Sequence, residues 1–486
     1  MDVLAFSRLQ FGDTAAFHIL WPIMSIGLSL YMLIMEAAWF YSGDERYYRQ
    51  LRFWTKIFIL TFGIGTASGI PLEFEFGTNW AAFSNSAGDF FGNILGFEST
   101  VAFALEAAFL AIFVFGWKRV SRSIHLFSNL MIFVGATLSA FWIMAANSWM
   151  QVPIGVAVVN GKMIVTDYVA AILNPDTLIS FLHMWVACVE TTVFMMAGIC
   201  AWALLRKSNP PGVRDSAAAE SLSSPAVAVE SPQSGSFTSH TNFFLDAFRY
   251  CLIIALFLTP VQIVLGDISG QTVAQYQPAK LAALELHWQT NPPGEGAAWS
   301  VVAWPQAGGG ANALDLPVPN VLSLLITHTT TGQVRGLDSF APNDRPTTAE
   351  SVVTFYSFRI MVAIGFVLFF LTLAGLWYWY KDRLRGDRIL EHKLFWWLWV
   401  CSIPLGFVAT EAGWMVREIG RQPWVVYHLM RTNEGLSSGL TAAGVASTTA
   451  IFTLLYLTFG ALFIYFTHRI VKKGPDITSP LPTYEH

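Results

Sequence analysis

The chain has 486 residues, 54% of them hydrophobic and only 12% charged, with a formal net charge of −4. That balance, with a mean hydropathy of +0.50, lies well outside soluble-protein usage and assigns most of the chain to lipid. It excludes nucleic acid as a partner, and the placement of Lys and Arg says more here than their sum.

Apolar windows of about 20 residues, the length that crosses roughly 30 Å of hydrocarbon, recur nine times. The first, 15–39, follows an N-terminus without a basic n-region or a small-residue cleavage site, so it is expected to remain as a span. The next four windows cover 54–76, 94–117, 125–147 and 178–205, and the last four 244–265, 354–380, 393–415 and 447–467. Only helices satisfy backbone groups over such lengths, so the expected fold is an all-α polytopic membrane bundle of about nine transmembrane helices.

Every second connection is basic: Arg46, Arg49 and Arg52; Lys118, Arg119 and Arg122; Arg206, Lys207 and Arg214; Lys381, Arg383, Arg385 and Arg388; then Arg469, Lys472 and Lys473. The positive-inside rule makes these cytoplasmic, which sets the N-terminus outside and the C-terminus inside. The resulting organisation is residues 1–207 with five helices, a linker at 208–242, a sixth helix at 243–265, an outer loop at 266–350, and residues 351–486 with three helices and a cytoplasmic tail. The linker is rich in Ser, Ala and Pro and is expected to be disordered. The outer loop carries an amphipathic stretch, KLAALELHW, and a Gly-rich turn, QAGGGAN, and loops of that length are commonly functional.

The four cysteines, Cys188, Cys200, Cys251 and Cys401, are far apart in apolar stretches and form no CxxC or CxxCH. Neither zinc, covalent heme nor a disulfide framework is expected, and they read as core residues. Of ten histidines, only His18 and His183 are read as lying inside the spans, with the rest, including His125 at the edge of the 125–147 window, assigned to loops or tails. The topology puts both near the outer face, together with Glu98, Met361 and Glu411, so five candidate metal ligands share one leaflet. Imidazole and thioether suit the iron of a low-spin heme. Glu106 stands about 12 Å further in than Glu98 along the same helix, near mid-membrane, where an ionisable group is a candidate proton relay that Ser139 could extend. Two span histidines are too few for bis-His diheme ligation or for a heme and copper centre, so any multi-heme reading must recruit Met and Glu.

Several segments carry a family likeness: SRLQF at 7–11 with His18, LEFEFGTNW at 72–80, the Glu98/Glu106 span, LSAFW and ANSWMQ within 138–151, His183, GDISG at 266–270, KLAALE at 280–285, FRIMVA at 358–363, and EAGW with GRQPW within 411–424. With these the chain resembles subunit I of cytochrome bd-type quinol oxidases, over all nine spans, in the short-outer-loop subgroup that includes cyanide-insensitive enzymes. The resemblance implies reduction of O2 to water with electrons from ubiquinol or menaquinol, in the bacterial cytoplasmic (inner) membrane. It implies a low-spin heme b (heme b558), a high-spin heme b (heme b595), and heme d or a third heme b in its place. His183 and Met361 would be the axial pair of the low-spin heme, with Arg359 beside a propionate. His18 and Glu411 would ligate the high-spin pair, with Glu98 as an additional carboxylate, and which heme each serves stays open. Arg421, Gln422 and Trp424 of GRQPW would also contact cofactor. Lys280 and Glu285 would bind and oxidise quinol, while Glu106 and Ser139 would carry protons from the cytoplasm. The implied partners are a membrane subunit II and small single-span accessory subunits.

Two positions depart from some relatives: Ala107 follows Glu106 where others have a hydroxyl residue, and Phe407 stands where others have tryptophan. Two rival readings remain distinct. A heme-binding electron-transfer subunit that never meets O2 would lack a CO-binding heme. A proton-coupled transporter using Glu98, Glu106 and Glu411 would require broken helices or inverted repeats at the midplane, and the sequence displays neither.

Overall fold

The computed structural model describes residues 2–207 and 233–482. Among these, nine helices are long and apolar enough to cross a membrane, one for each expected window. Helix α1 (Val3–Ser42) opens on Asp2, whose carboxylate accepts the Ala5 N–H at 2.8 Å, and closes on Gly43 at φ +72°. It is followed by α2 (Glu45–Thr78), α3 (Ala81–Phe97), α4 (Ala104–Phe115) and α5 (Arg122–Gln151). A hairpin of β1 (Val156–Val159) and β2 (Lys162–Val165) and the short α6 (Tyr168–Ile172) lead into α7 (Thr177–Lys207).

Beyond the undescribed stretch come α8 (Gln233–Tyr276), the short α9 (Pro278–Leu284), the β3 (Trp299–Pro305) and β4 (Asn312–Val318) hairpin, and α10 (Val321–Thr327). The chain then crosses in α11 (Thr348–Tyr380) and in α12 (Lys393–Cys401) with α13 (Leu405–Ile419). After a small β5 (Trp424–Val426) and β6 (Met430–Arg431) hairpin it ends in α14 (Ala442–Lys473).

Successive spans run in opposite directions, and cross-chain hydrogen bonds tie together the segments at each end. At one end Arg122 donates to Trp39 O, Arg249 Nη2 to Leu384 O at 2.7 Å, and Arg49 Nη1 to Asp476 O at 3.2 Å. This basic end carries the Arg and Lys clusters. At the other, the loop end, Ser437 Oγ accepts the Ala81 N–H at 2.8 Å and Gln277 Nε2 donates to Gln151 O at 2.7 Å. The span containing α7 is the axis, since 83% of its apolar window is buried against 6% for α14.

Several expectations need correction. The third span begins at Ala81 and is interrupted by a π-helical segment, Glu98–Phe103, which places Glu98 at a local widening of the helix. The eighth is broken between Cys401 and Leu405, where Pro404 offers no N–H to the helical ladder. Broken spans are therefore present, although the sequence displayed none. Three two-stranded hairpins accompany the helices. Most of the expected linker, 208–242, lies outside the described residues, and its last ten residues open α8 instead. Cys188, Cys200 and Cys251 are buried, but Cys401 is exposed on the bundle surface.

His125, expected in a loop, is fully buried in the first turn of α5. Its Nδ1 lies 2.5 Å from Glu36 Oε1 and its Nε2 lies 2.9 Å from Phe113 O, while Asn129 donates to the other Glu36 oxygen at 2.7 Å. Because the Phe113 carbonyl can only accept, the pair shares a proton that cross-links α1, α4 and α5.

Candidate functional site

A cavity of about 1430 Å³ opens among α1, α2, the α3–α4 span, α5, α7 and α13, and is walled chiefly by apolar side chains. Its volume exceeds the roughly 300–1,000 Å³ of a site for one small ligand. His18, Glu98, Glu106, Ser139, Glu411, Arg421 and Gln422 all line it. The sequence-expected residues for a paired-cofactor site are thus gathered from four separate spans and the turn after α13.

Hydrogen bonding assigns the His18 tautomer. Ser68 Oγ lies 3.0 Å from His18 Nδ1 and donates its one proton to Gly65 O at 3.0 Å, so Nδ1 carries the hydrogen and Nε2 keeps a free lone pair. A ligating histidine is commonly held in this way through its second nitrogen. Gly69 makes the room: a Cβ there would lie 3.1 Å from His18 Cε1.

Ser139 Oγ donates to Glu98 Oε1 at 2.6 Å, joining the π-helical segment to α5. Glu106 is 6% exposed, and its backbone meets α5 at Gly135, where a Cβ would come within 3.0 Å of Glu106 N. Glu106 Oε1 and Glu411 Oε1 are buried without a hydrogen-bond partner among the described residues. Buried carboxylate oxygens left in that condition are expensive, and oxygens turned to a cavity fit groups that bind metal or hold protons.

His183 and Met361 stand apart from this cavity. His183 Cε1 is 3.5 Å from a Cβ built on Gly266 of α8, and Met361 Sδ is 3.0 Å from one built on Gly413 of α13. Their depths agree. Thr191 of α7 packs on Gly406 and bonds Thr410 at 3.4 Å. From that contact the antiparallel α7 and α13 climb toward the loop end to His183 and Gly413, reaching levels within about one turn of each other. His183 Nδ1 is buried and unpartnered.

At the loop end the structure joins residues that the sequence kept separate. Glu285 is 5% exposed and accepts from Arg359 Nη2 at 2.6 Å. Arg359 also donates to Ser300 O at 3.0 and 2.6 Å and lies over the Trp299 and Phe355 rings. Burial pushes the Glu285 carboxyl up, against the opposing pull of Arg359. Lys280, 4% exposed, turns away from Glu285: its stem packs on Gly420 and its Nζ donates to Gln151 Oε1 at 2.7 Å. Burial first, then the Arg417 and Arg421 guanidiniums, hold the Lys280 ammonium well below its ordinary range.

That lysine belongs to a polar network missing from the sequence reading. Arg417 pairs with Asp176 at 2.6 Å and donates to Ser180 at 2.9 Å and Ser148 at 3.1 Å. Glu418 accepts from Asn147 at 2.9 Å, Gln151 at 3.2 Å and Arg421. The only sequence signal was the Arg417–Glu418 pair just ahead of GRQPW. Arg421 keeps Nη1 buried and unpartnered. Gln422 accepts from Thr432 at 2.8 Å, whereas Trp424 lies outside the cavity lining, beneath the Arg431 guanidinium at 4.3 Å.

Fold and site define an integral membrane helix bundle with a large cofactor-sized cavity and a polar network linking that cavity to an extramembrane loop. The chain belongs to the family of cytochrome bd terminal oxidase subunit I, whose model matches residues 6–475. It is 31% identical to cytochrome bd ubiquinol oxidase subunit 1 of Bacillus subtilis (strain 168), over 98% of this chain and 95% of that one. It is also 31% identical to cytochrome bd-II ubiquinol oxidase subunit 1 of Escherichia coli (strain K12), over 100% and 99% of the two chains. The solved bd oxidase of Geobacillus thermodenitrificans has a chain that superposes with a TM-score of 0.82 at 27% identity, covering 98% of this chain and 99% of that one.

Proposed function

We propose that this chain is the heme-carrying subunit of a respiratory quinol:O2 oxidoreductase, oxidising quinol at the loop end and reducing O2 to water with protons drawn from the basic end. The observation that carries the reading is the His18 lone pair, fixed through Ser68, in one cavity with the carboxylates Glu98, Glu106 and Glu411. In this reading the loop end faces outward and the basic end faces the cytoplasm of a bacterium.

His183 and Met361 hold a low-spin heme b, and His18 and Glu411 hold a high-spin pair made of heme b and either heme d or a third heme b, with Glu98 alongside. When bound, the hemes supply electron storage and an iron that takes O2. The fit rests on the tautomer of His18, the unpartnered His183 Nδ1 and Glu411 Oε1, and glycines that clear space beside His18 and Met361. Arg359 positions the Glu285 carboxylate and steadies its charge before it accepts a proton from the quinol hydroxyl, and Lys280 orients a ring oxygen. Glu106 and the Ser139–Glu98 pair pass protons toward the cavity. The ubiquinol oxidase names of the relatives support a quinol donor, either ubiquinol or menaquinol, and a subunit II beside this chain.

A reduced-minus-oxidised visible spectrum of the purified complex, repeated with CO, tests this. A CO-sensitive heme fraction is expected, and a long-wavelength chlorin band would assign heme d. Heme bands wholly insensitive to CO would overturn O2 reduction, and a folded sample without heme would overturn the whole reading.

A further inference from the structure

One buried carboxylate has no part in the chemistry above. Glu190 lies on α7 at 5% exposure and makes no hydrogen bond or ion pair among the described residues. It stands seven residues beyond His183, on the same helix face and about 10 Å deeper toward the basic end. Thr191 beside it packs on α13 and Thr192 packs on Gly27 of α1, which leaves Glu190, on the face that carries His183 to Gly266, turned toward α8. A carboxylate so placed, in lipid-buried protein and unpaired, is costly and calls for a function.

The titratable groups near it are in other places. On α7, His183 is two turns nearer the loop end, Cys188 is on the opposite face and donates to Met184, and Cys200 is deeper. Cys251 of α8 and Tyr31 of α1 are likewise deeper, while Glu411 of α13 is nearer the loop end. The residues of α8 around Thr259, of α11 around Leu368 and of α13 around Phe407, which lie at this depth, include no titratable side chain. On its own helix face, the charge change that Glu190 would meet is an electron arriving at the His183 level.

We propose that Glu190 is the redox-linked proton acceptor of the low-spin heme: its carboxylate takes up protons from bulk water, up to about half a proton per electron at tenfold coupling, as the heme is reduced, and releases them when the electron moves on. This rests on the ligation reading for His183 and Met361. At a separation near 11 Å and an effective dielectric of 20, one added electron strengthens proton binding about tenfold. Compensation of this kind keeps the heme reducible within a low-dielectric bundle while quinol delivers electrons singly.

The test is a spectroelectrochemical titration of the low-spin heme in the intact complex at several pH values. In the parent protein the midpoint potential should fall with pH across the window between the two protonation constants, by at most about 30 mV per tenfold change in proton activity, half the 59 mV of a full proton per electron. Glu190→Gln should flatten that slope with the low-spin band retained, and an equal slope in parent and variant would overturn the proposal. Infrared difference spectra of the parent protein give a second measurement should the variant not assemble. A carboxylic C=O band must rise and fall with reduction of the low-spin heme, and its absence would also overturn the proposal. His183→Ala separates the two layers, because a low-spin band surviving that change defeats the ligation reading whatever Glu190→Gln shows.

Discussion

Glu285 and Arg359 show how one contact sets a pH dependence. Burial raises the Glu285 carboxyl and Arg359 opposes the rise, so the base becomes available only above the ordinary carboxylate range. Quinol oxidation should therefore lose rate as pH falls through the Glu285 titration. Removing the guanidinium in Arg359→Gln takes away the opposing term, so this acid limb should move to higher pH. A pH profile of quinol oxidation checks it, and an unmoved limb with normal low-spin heme content would mean that Arg359 does not set the Glu285 titration. Glu285→Gln should slow quinol oxidation by roughly 10²–10⁴-fold, the usual contribution of general-base catalysis, with heme content preserved. A rate within a few-fold of the parent would remove Glu285 from the chemistry.

Helix approach at Gly135 controls the geometry around Glu106. A methyl group there would meet the Glu106 backbone nitrogen at 3.0 Å and its Cβ at 2.9 Å, and backbone cannot swing aside. Gly135→Ala should part α4 from α5 and destabilise the protein by about 1–3 kcal/mol, the usual cost of overpacking. Gly12→Ala, with open space around it, is the matched control. Thermal denaturation in detergent should separate the two, and equal stability would show that the interface yields.

Elements of this kind were only partly legible beforehand. The nine spans could be read because lipid admits long apolar helices and little else. The β1–β2 hairpin was also legible in principle, since Asn160-Gly161 sits between two short apolar, β-branched-rich runs and takes φ +51° and +76°. The π-helical turn at Glu98 left no compositional trace, because it is a shift in backbone bonding. Lys280 and Glu285 were legible as a motif, but their separation was not: it depends on Gln151 and Arg359, more than 70 residues away from their respective partners in sequence. The Arg417–Asp176 and Glu418–Asn147 contacts were hidden for the same reason.

At the scale of the whole molecule, the two ends carry different chemistry and the bundle keeps them apart. The basic end gathers Arg46, Arg49, Arg52, Lys118, Arg119, Lys381 and Arg383 at its connections, while the loop end holds α9, the β3–β4 hairpin and the buried Lys280 network. Oxidising quinol at one end and drawing protons from the other separates charge without a pump, and the basic end facing the cytoplasm makes the outside positive. Single cysteines introduced on a Cys401→Ser background test the orientation. Ala307→Cys, exposed between β3 and β4, should react with an impermeant maleimide added to intact spheroplasts. Lys118→Cys, exposed at the basic end, should react only after permeabilisation. The reverse pattern would turn the molecule over in the membrane, so that quinol oxidation would release its protons into the cytoplasm while Glu106 drew from outside, and turnover would separate charge with the opposite sign.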